Sequence, residues 1–368
     1  MLPYLSDDQL AHDLTIRDLT DPTAGTHALQ LIVDRIVDAL ARQWGCEVRW
    51  HRGDRIVTIA DNYDNLGYDP GDVTRAARYT RYVDDHRMLR SHSSAMIPAA
   101  LRALSTDPAD DVLLVCPGIV YRRDSIDRLH SGTPHQLDLW RITRGQHHRT
   151  TADLTEMIAV VLDALLPGVQ YRLDPRAHPY TEHGHQVDVA RHGEWIEIAE
   201  CGLAGPEVLR RSGLDSSHGG LAIGLGLDRM LMLLKGIPDI RILRSPTPAI
   251  AAQLEDLSPY RPISSMPAIR RDLSIAVAPN DLAEDLGDRI REALGAQADD
   301  IESVEILTET PCSALPLQAL HRLGAHPAQK NLLIRITLRR LDKTLTDQAA
   351  NVLRDRIHAT LHQGTTYR

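Results

Sequence analysis

Between Gly219 and Leu234 the chain changes period. From Gly219 to Gly226 small and apolar residues alternate, as in a buried strand, and from Leu227 to Leu234 the apolar positions recur at helical spacing. The pattern predicts a strand running straight into a helix, with Arg229 at the start of the helix. Gly224 and Gly226 leave the strand surface bare, so a flat ligand can lie against the backbone. A guanidinium at the junction is placed to meet a phosphate. A corner packed with small residues for its own sake accounts for the same pattern, so this stretch alone does not decide between them.

Other segments read as follows. Met1 to about Ala24 is polar and predicts an extended arm. Leu29, Ile32, Val33, Ile36 and Leu40 mark an amphipathic helix from His27 that stops at Gly45. Pro98 to Leu104 reads as a helix and Asp111 to Cys116 as a buried strand. Gly118 to Trp140 reads as strand, polar loop, strand, and Asp153 to Leu166 as a helix closed by Pro167 and Gly168. Trp195 to Glu200 alternates as a strand. Prolines and serines between Leu257 and Ser265 mark a linker. Beyond it come a strand (Asp272 to Val277), a helix (Leu282 to Leu294), a strand (Ile301 to Leu307), a strand (Leu332 to Leu338) and a helix (Thr346 to Leu361). That order predicts a split βαβ sandwich. The expected class is α+β, with domains over 1–256 and 266–368 joined by a linker at 257–265.

Composition narrows the partners. The chain has 368 residues, 43% hydrophobic and 25% charged, ordinary for a water-soluble globular protein. No apolar run is long enough to span a bilayer, and the N-terminus lacks the features of a signal or transit peptide. The four cysteines form no Cys-x-x-Cys and fit reduced thiols, so a cytoplasmic location is expected. A net charge of -9 argues against unspecific nucleic-acid binding, though a local basic face can coexist with an acidic whole. Phenylalanine is absent while tyrosine occurs ten times. At average usage on the order of ten or more phenylalanines are expected in a chain this long.

Arg122-Arg123-Asp124, His130 and His135-Gln136-Leu137-Asp138, together with Gly219 to Leu234, resemble the second and third signature motifs of class II aminoacyl-tRNA synthetases. The wording is similar to phenylalanyl-tRNA synthetase, particularly its single-chain mitochondrial type. Leu89 to Ser94, Trp195 to Ile198 and Gly236 to Arg241 extend the resemblance over most of the chain. It implies an antiparallel-sheet catalytic core followed by a ferredoxin-fold anticodon-binding domain. It implies that ATP and phenylalanine or an analogue form an aminoacyl-adenylate, whose acyl group passes to tRNA(Phe). A monomer or a homodimer fits; the dimer-helix motif His-Pro-Leu reads His27-Ala28-Leu29 here.

The resemblance also implies roles. Arg122 would meet the α-phosphate and the substrate carboxylate, because attack on phosphorus builds charge on non-bridging oxygens that a rigid guanidinium stabilises. Arg128 and His130 would meet the β- and γ-phosphates, and Arg229 the γ-phosphate or adenine, beside Gly226. His92 and Ser94 would meet the substrate amino group and carboxylate, where capping of the following helix is the plain alternative. Gln136 and Asp138, two apart on one strand face, would receive the ammonium; the family usually has Glu where Asp138 stands. Pro134 stands where a phenylalanine would stack on adenine. His178 and Tyr180 replace two phenylalanines against the substrate side chain, over a floor of Ala222, Ile223 and Gly224. Either the substrate carries a polar group, or the chain avoids phenylalanine and the substrate is unchanged. Glu182 and Glu197 are candidates for Mg2+, and Glu200 reads as solvated surface. Arg270, Arg271, Arg335, Arg339, Arg340 and Lys343 are candidates for tRNA phosphates, with solvated surface as the alternative. The phenylalanine vacancy suggests a specialised or self-resistance enzyme. Two other classes stay open: a ligase that hands its adenylate to a carrier protein or amine, and a non-catalytic tRNA-binding paralogue.

Overall fold

The computed structural model describes residues 4–145, 149–191, 193–263 and 267–365. They form two compact units. The first comprises Met1–Arg122, Thr133–Ile237 and Leu254–Pro259; the second comprises Arg123–Gly132, Pro238–Gln253 and Tyr260–Arg368. The segment read as a linker therefore divides at Pro259, and its Ser264 and Ser265 lie outside the described residues.

The first unit contains strands β1 (Glu47–Trp50), β2 (Ile56–Thr58), β3 (Arg87–Leu89), β4 (Asp111–Ile119), β5 (His135–Arg144), β6 (Tyr171–Pro175), β7 (Thr181–Arg191), β8 (Glu194–Ala204) and β9 (His218–Gly226). Seven form one sheet in the order β1-β4-β5-β9-β8-β7-β6, antiparallel except for the β1–β4 pair. β2 and β3 pair separately.

Alternation divides the sheet between two layers. Val112, Leu114, Cys116, Trp140, Ile142 and Ala222 face the helices Ile97–Thr106 and Pro206–Arg211 in one core. Leu113 and Val115 turn the other way. The helix Ala28–Trp44 contacts both Thr151–Leu165 and Leu227–Lys235, and all three contact the sheet. The Ala28–Trp44 helix starts at His27, whose Nδ1 accepts from Leu29 N (3.2 Å), and stops at Gly45, whose φ of 63° suits a residue without a Cβ.

The N-terminal segment is not simply extended. Asp7–Thr15 is a helix, started by a capping box in which Ser6 and Gln9 satisfy each other's backbone N–H groups. Leu5, Leu10 and Ile16 then pack on Leu89, Ile119 and Tyr121.

The second unit contains β10 (Ile269–Val277), β11 (Ile301–Pro311) and β12 (Lys330–Leu338), in the order β10-β12-β11. β10 and β11 are each antiparallel to β12, so they run parallel to one another with β12 between them. The helix Ala283–Leu294 crosses from β10 to β11. It shares a core with the helix Asp347–Leu361 through Leu286, Ile290, Leu353 and Ile357. This is a split βαβ arrangement with three strands among the described residues. A short helix, Leu317–Leu323, was not evident in the sequence pattern.

Candidate active site

Strand register builds the site. Cys116, Asp138, Gly224 and Glu200 lie in one row across β4, β5, β9 and β8. Gly118, Gln136 and Gly226 form the next row towards one end of the sheet, and Leu114, Trp140, Ala222 and Gly202 the next row the other way. In these three rows β9 therefore presents Ala222, Gly224 and Gly226. The result is a trough with a floor of small residues. Gln136 and Asp138 stand on one wall and Glu200 on the other.

A narrow cleft lies there, lined by Asp138, His178, Tyr180, Glu200, Ala222 and Gly224 among others. Ile223 also borders it, but strand alternation turns its side chain to the opposite face. The 3₁₀ turn Ser93–Met96 closes the Asp138 side. Ser93 N donates to Gln136 Oε1 (3.1 Å). Asp138, 3% exposed, accepts from Ser93 Oγ (2.6 Å), Ser94 Oγ (3.1 Å) and Trp140 Nε1 (3.4 Å). Burial pushes its carboxyl up to about 6, against the pull of those hydrogen bonds.

His92 stacks on Tyr68 with ring centroids 5.7 Å apart. Its Nδ1 is buried without a hydrogen-bond partner. Burial, then the charge of Arg122, pushes the imidazole down to about 3, so it acts as a neutral ring. His178 and Tyr180 stack at 5.8 Å. His178 Nδ1 lies 3.2 Å from Thr181 Oγ1, and its Nε2 lies 3.4 Å from Glu200 Oε2 without hydrogen-bond alignment. That contact is the main cause that holds Glu200 below its ordinary value, while burial opposes it and Arg176 and Arg122 add to it.

Arg122 and Arg229 belong to the same unit. β4 and β9 run parallel, separated by β5, so both arginines follow strands that end at the same end of the sheet. Those strand ends are about 10 Å apart, two strand spacings. Arg122 Nε donates to Ser91 O (2.8 Å), and Arg229 Nη1 to Glu197 O (2.8 Å). Each keeps further N–H groups for other acceptors.

A buried histidine fixes this end of the sheet. His135, 0% exposed, has Nδ1 2.8 Å from Asp228 Oδ1, its backbone N donates to Asp228 Oδ2 (2.9 Å), and Nε2 accepts from Leu19 N (3.1 Å). The start of β5 is thereby tied to the first turn of the helix that carries Arg229. The sequence reading assigned His135 no role. Its only signal was adjacency, since it precedes Gln136 and its partner precedes Arg229.

Other expected residues sit differently. Glu200 is not plain solvated surface: it walls the cleft. Only register between strands reveals this, because Glu200 lies opposite Gly224, which has no side chain. Glu182 and Glu197 cannot hold one ion together. Glu182 pairs with Leu203 and Glu197 lies six residues earlier on β8, so they are about 20 Å apart at ~3.3 Å per residue. Among the described residues no group of three or more His, Cys, Asp or Glu is arranged to hold a metal. Glu197 is exposed and its backbone carbonyl meets Arg229, so it is the candidate of the two for a magnesium ion carried by ATP phosphates.

Arg128 and His130 fall in the second unit. Arg128 Nη2 is 2.6 Å from Glu302 Oε1, and His130 Nδ1 is 2.7 Å from Asp127 Oδ2. Pro134 contributes its carbonyl to Val120 N (2.8 Å). Of the basic candidates for phosphate, Arg271 pairs with Asp347, Arg335 with Asp272, Arg339 with Glu302 and Arg340 with Asp300. Arg270 and Lys343 are exposed.

Comparison with known proteins agrees with this architecture. The tRNA synthetases class II core domain (F) family matches residues 11–254, more than half of the chain. The chain belongs to the class II aminoacyl-tRNA synthetases. The synthetase is 32% identical over 232 residues to the phenylalanine–tRNA ligase alpha subunit of Nostoc punctiforme, covering 63% of this chain and 67% of that one. It is 33% identical over 235 residues to the alpha subunit of Prochlorococcus marinus strain MIT 9313, covering 61% and 66%. The synthetase thus spans about two thirds of the length of these relatives. A solved pyrrolysyl-tRNA synthetase, PylSc of Desulfitobacterium hafniense, matches at 18% identity with a TM-score of 0.46, covering 64% of this chain and 77% of that one. No helix among the described residues is long and apolar enough to cross a membrane.

Proposed function

We propose that this chain is an ATP-dependent aminoacyl-tRNA ligase of the phenylalanine–tRNA ligase type, and that the cleft on β5, β8 and β9 is its amino-acid site. The observation that carries the reading is the row Asp138–Gly224–Glu200, with the charge of Arg122 acting on both His92 and Glu200. The ammonium of the substrate sits on Asp138, beside Gln136 and Ser94. Its carboxylate lies towards Arg122, where attack on the α-phosphorus of ATP releases pyrophosphate. Arg122 stabilises the charge that gathers on the phosphoryl oxygens, and Arg229 holds the nucleotide from the neighbouring strand end. The bare backbone at Gly226 lets adenine lie flat. Alignment and charge do this work without a covalent enzyme intermediate. Magnesium would neutralise the triphosphate, with Glu197 as its protein ligand.

Transfer of the acyl group to tRNA(Phe) follows. The split βαβ unit would be a ferredoxin-fold anticodon-binding domain that reads the tRNA through Arg270, Arg271, Arg339 and Lys343. The ion pair of Arg271 with the exposed Asp347 is weak enough to exchange for phosphate, since such surface pairs contribute about 0–1 kcal/mol, whereas Arg339 would have to leave the buried Glu302. The test is amino-acid-dependent ATP–pyrophosphate exchange followed by tRNA acylation, over a panel of aromatic amino acids. Both activities are expected. Exchange without acylation would point to a carrier-protein or amine acceptor. Neither activity with any amino acid would overturn the reading.

A further inference from the structure

The cleft is more polar than a hydrocarbon side chain requires. Asp138 and Glu200 flank Gly224 in one row, so two carboxylates face a gap about 10 Å wide, two strand spacings. One of them suffices for the substrate ammonium, and the Ser93 and Ser94 hydroxyls already orient Asp138 towards that task. Glu200 is left over. Its side chain is 35% exposed, so water reaches it. A bound ring would displace that water.

For a plain benzyl side chain this displacement is unfavourable. The carboxylate would lose solvent and gain no new donor, which costs several kcal/mol for a charged group. A ring that carries its own N–H or O–H replaces the lost water with a charge-assisted hydrogen bond. His178 adds a second polar atom on the same wall. Its side chain is 7% exposed, and its Nε2 is buried without an aligned partner, 3.4 Å from Glu200. Tyr180 and His178 supply rings to the cleft lining, with Tyr68 packed against Tyr180, which suits an aromatic ligand. Avoidance of phenylalanine by the chain accounts for His178 and Tyr180 in place of phenylalanine rings. It makes no demand for a carboxylate at position 200.

We infer that the cleft selects an aromatic amino acid bearing an amine or hydroxyl donor on its ring, received by Glu200 with His178 beside it, in preference to phenylalanine. The inference rests on the reading of the cleft as the amino-acid pocket of an adenylate-forming site. Glu200 is the specificity-determining residue, and its effect is on the choice between rings rather than on the reaction of the carboxylate.

Pyrophosphate exchange with phenylalanine, tyrosine and 4-aminophenylalanine tests it, on the full chain and on Glu200→Ala. The expected result is a kcat/KM for at least one donor-bearing ring more than tenfold above that for phenylalanine. In Glu200→Ala that ratio should fall about a hundredfold, with phenylalanine becoming the better substrate. If phenylalanine is preferred by the unaltered chain, the inference is overturned while adenylate formation stands. If the donor-bearing ring is preferred but the ratio is unchanged in Glu200→Ala, the role of Glu200 is overturned. Absence of exchange with every amino acid overturns both the inference and the reading beneath it. Glu200→Gln, which keeps the shape but not the charge, serves if the alanine variant does not fold, and should lower the ratio in the same direction.

Discussion

Asp138→Asn is expected to lower amino-acid-dependent pyrophosphate exchange about a thousandfold, mostly through KM for the amino acid. Asparagine keeps the size of the side chain and one oxygen for Ser93 and Ser94, but it removes the charge that pairs with the ammonium. Truncating one partner of a buried, hydrogen-bonded charge pair costs about 2–5 kcal/mol, and roughly 4 kcal/mol corresponds to a thousandfold. The pH profile supplies an independent readout. Burial holds the Asp138 carboxyl up at about 6. As pH falls through that value the group takes a proton, so kcat/KM of the unaltered chain should fall on the acid side of pH 6. The variant should lack that limb.

Stability moves the opposite way. A carboxyl held above its unfolded value keeps its proton longer in the folded chain than in the unfolded one, where it titrates near ~3.9. Between about pH 4 and pH 6 the folded state therefore binds more protons. Its stability falls as pH rises through that window, by on the order of 2–3 kcal/mol in all. Asp138→Asn removes this contribution. Chemical denaturation should show the variant gaining on the unaltered chain from pH 4 to pH 6 and holding that gain at neutral pH. A variant that loses both exchange and stability at neutral pH would contradict this account of Asp138.

Arg122→Ala is expected to lower kcat for exchange by about a thousandfold, with the fold intact. Loss of one preorganised donor to a developing oxyanion costs about a hundred- to a thousandfold, and a guanidinium also carries full charge. Arg122→Lys should recover little, because an ammonium lacks the planar fork. The variant also removes the hydrogen bond from Arg122 Nε to Ser91 O, 2.8 Å long, which precedes the turn over Asp138. Thermal melting distinguishes the two effects: a catalytic loss with a melting temperature within a few degrees is expected. A loss of exchange that tracks the melting temperature would make Arg122 a structural residue.

Much of this architecture was legible along the chain. The helix from Ala28 to Trp44 follows from its apolar period and from Gly45, and the strand-to-helix passage through Gly226 follows from a change of period. Asp138 and Gln136 share a face by strand parity alone. What escaped depends on register between distant strands. Glu200 looks solvated when β8 is read by itself and enters the cleft only because Gly224, opposite it, has no side chain. Glu182 and Glu197 are close in sequence, but the β7–β8 register places them at different ends of the strands. The partners of His135 and Arg128 lie 93 and 174 residues away, beyond any local pattern. The helix Asp7–Thr15 escaped for a local reason. Its capping box sits in a polar segment with little apolar period, so only the Ser6 and Gln9 spacing marks it.

The most direct measurement is the structure of this chain bound to a non-hydrolysable aminoacyl-sulfamoyl adenosine. The ammonium should lie within hydrogen-bond reach of Asp138, the sulfamoyl group within reach of Arg122, and the adenine against the backbone at Gly226. An analogue seated elsewhere, or seated in the cleft with Arg122 turned away from the sulfamoyl group, would contradict the mechanism.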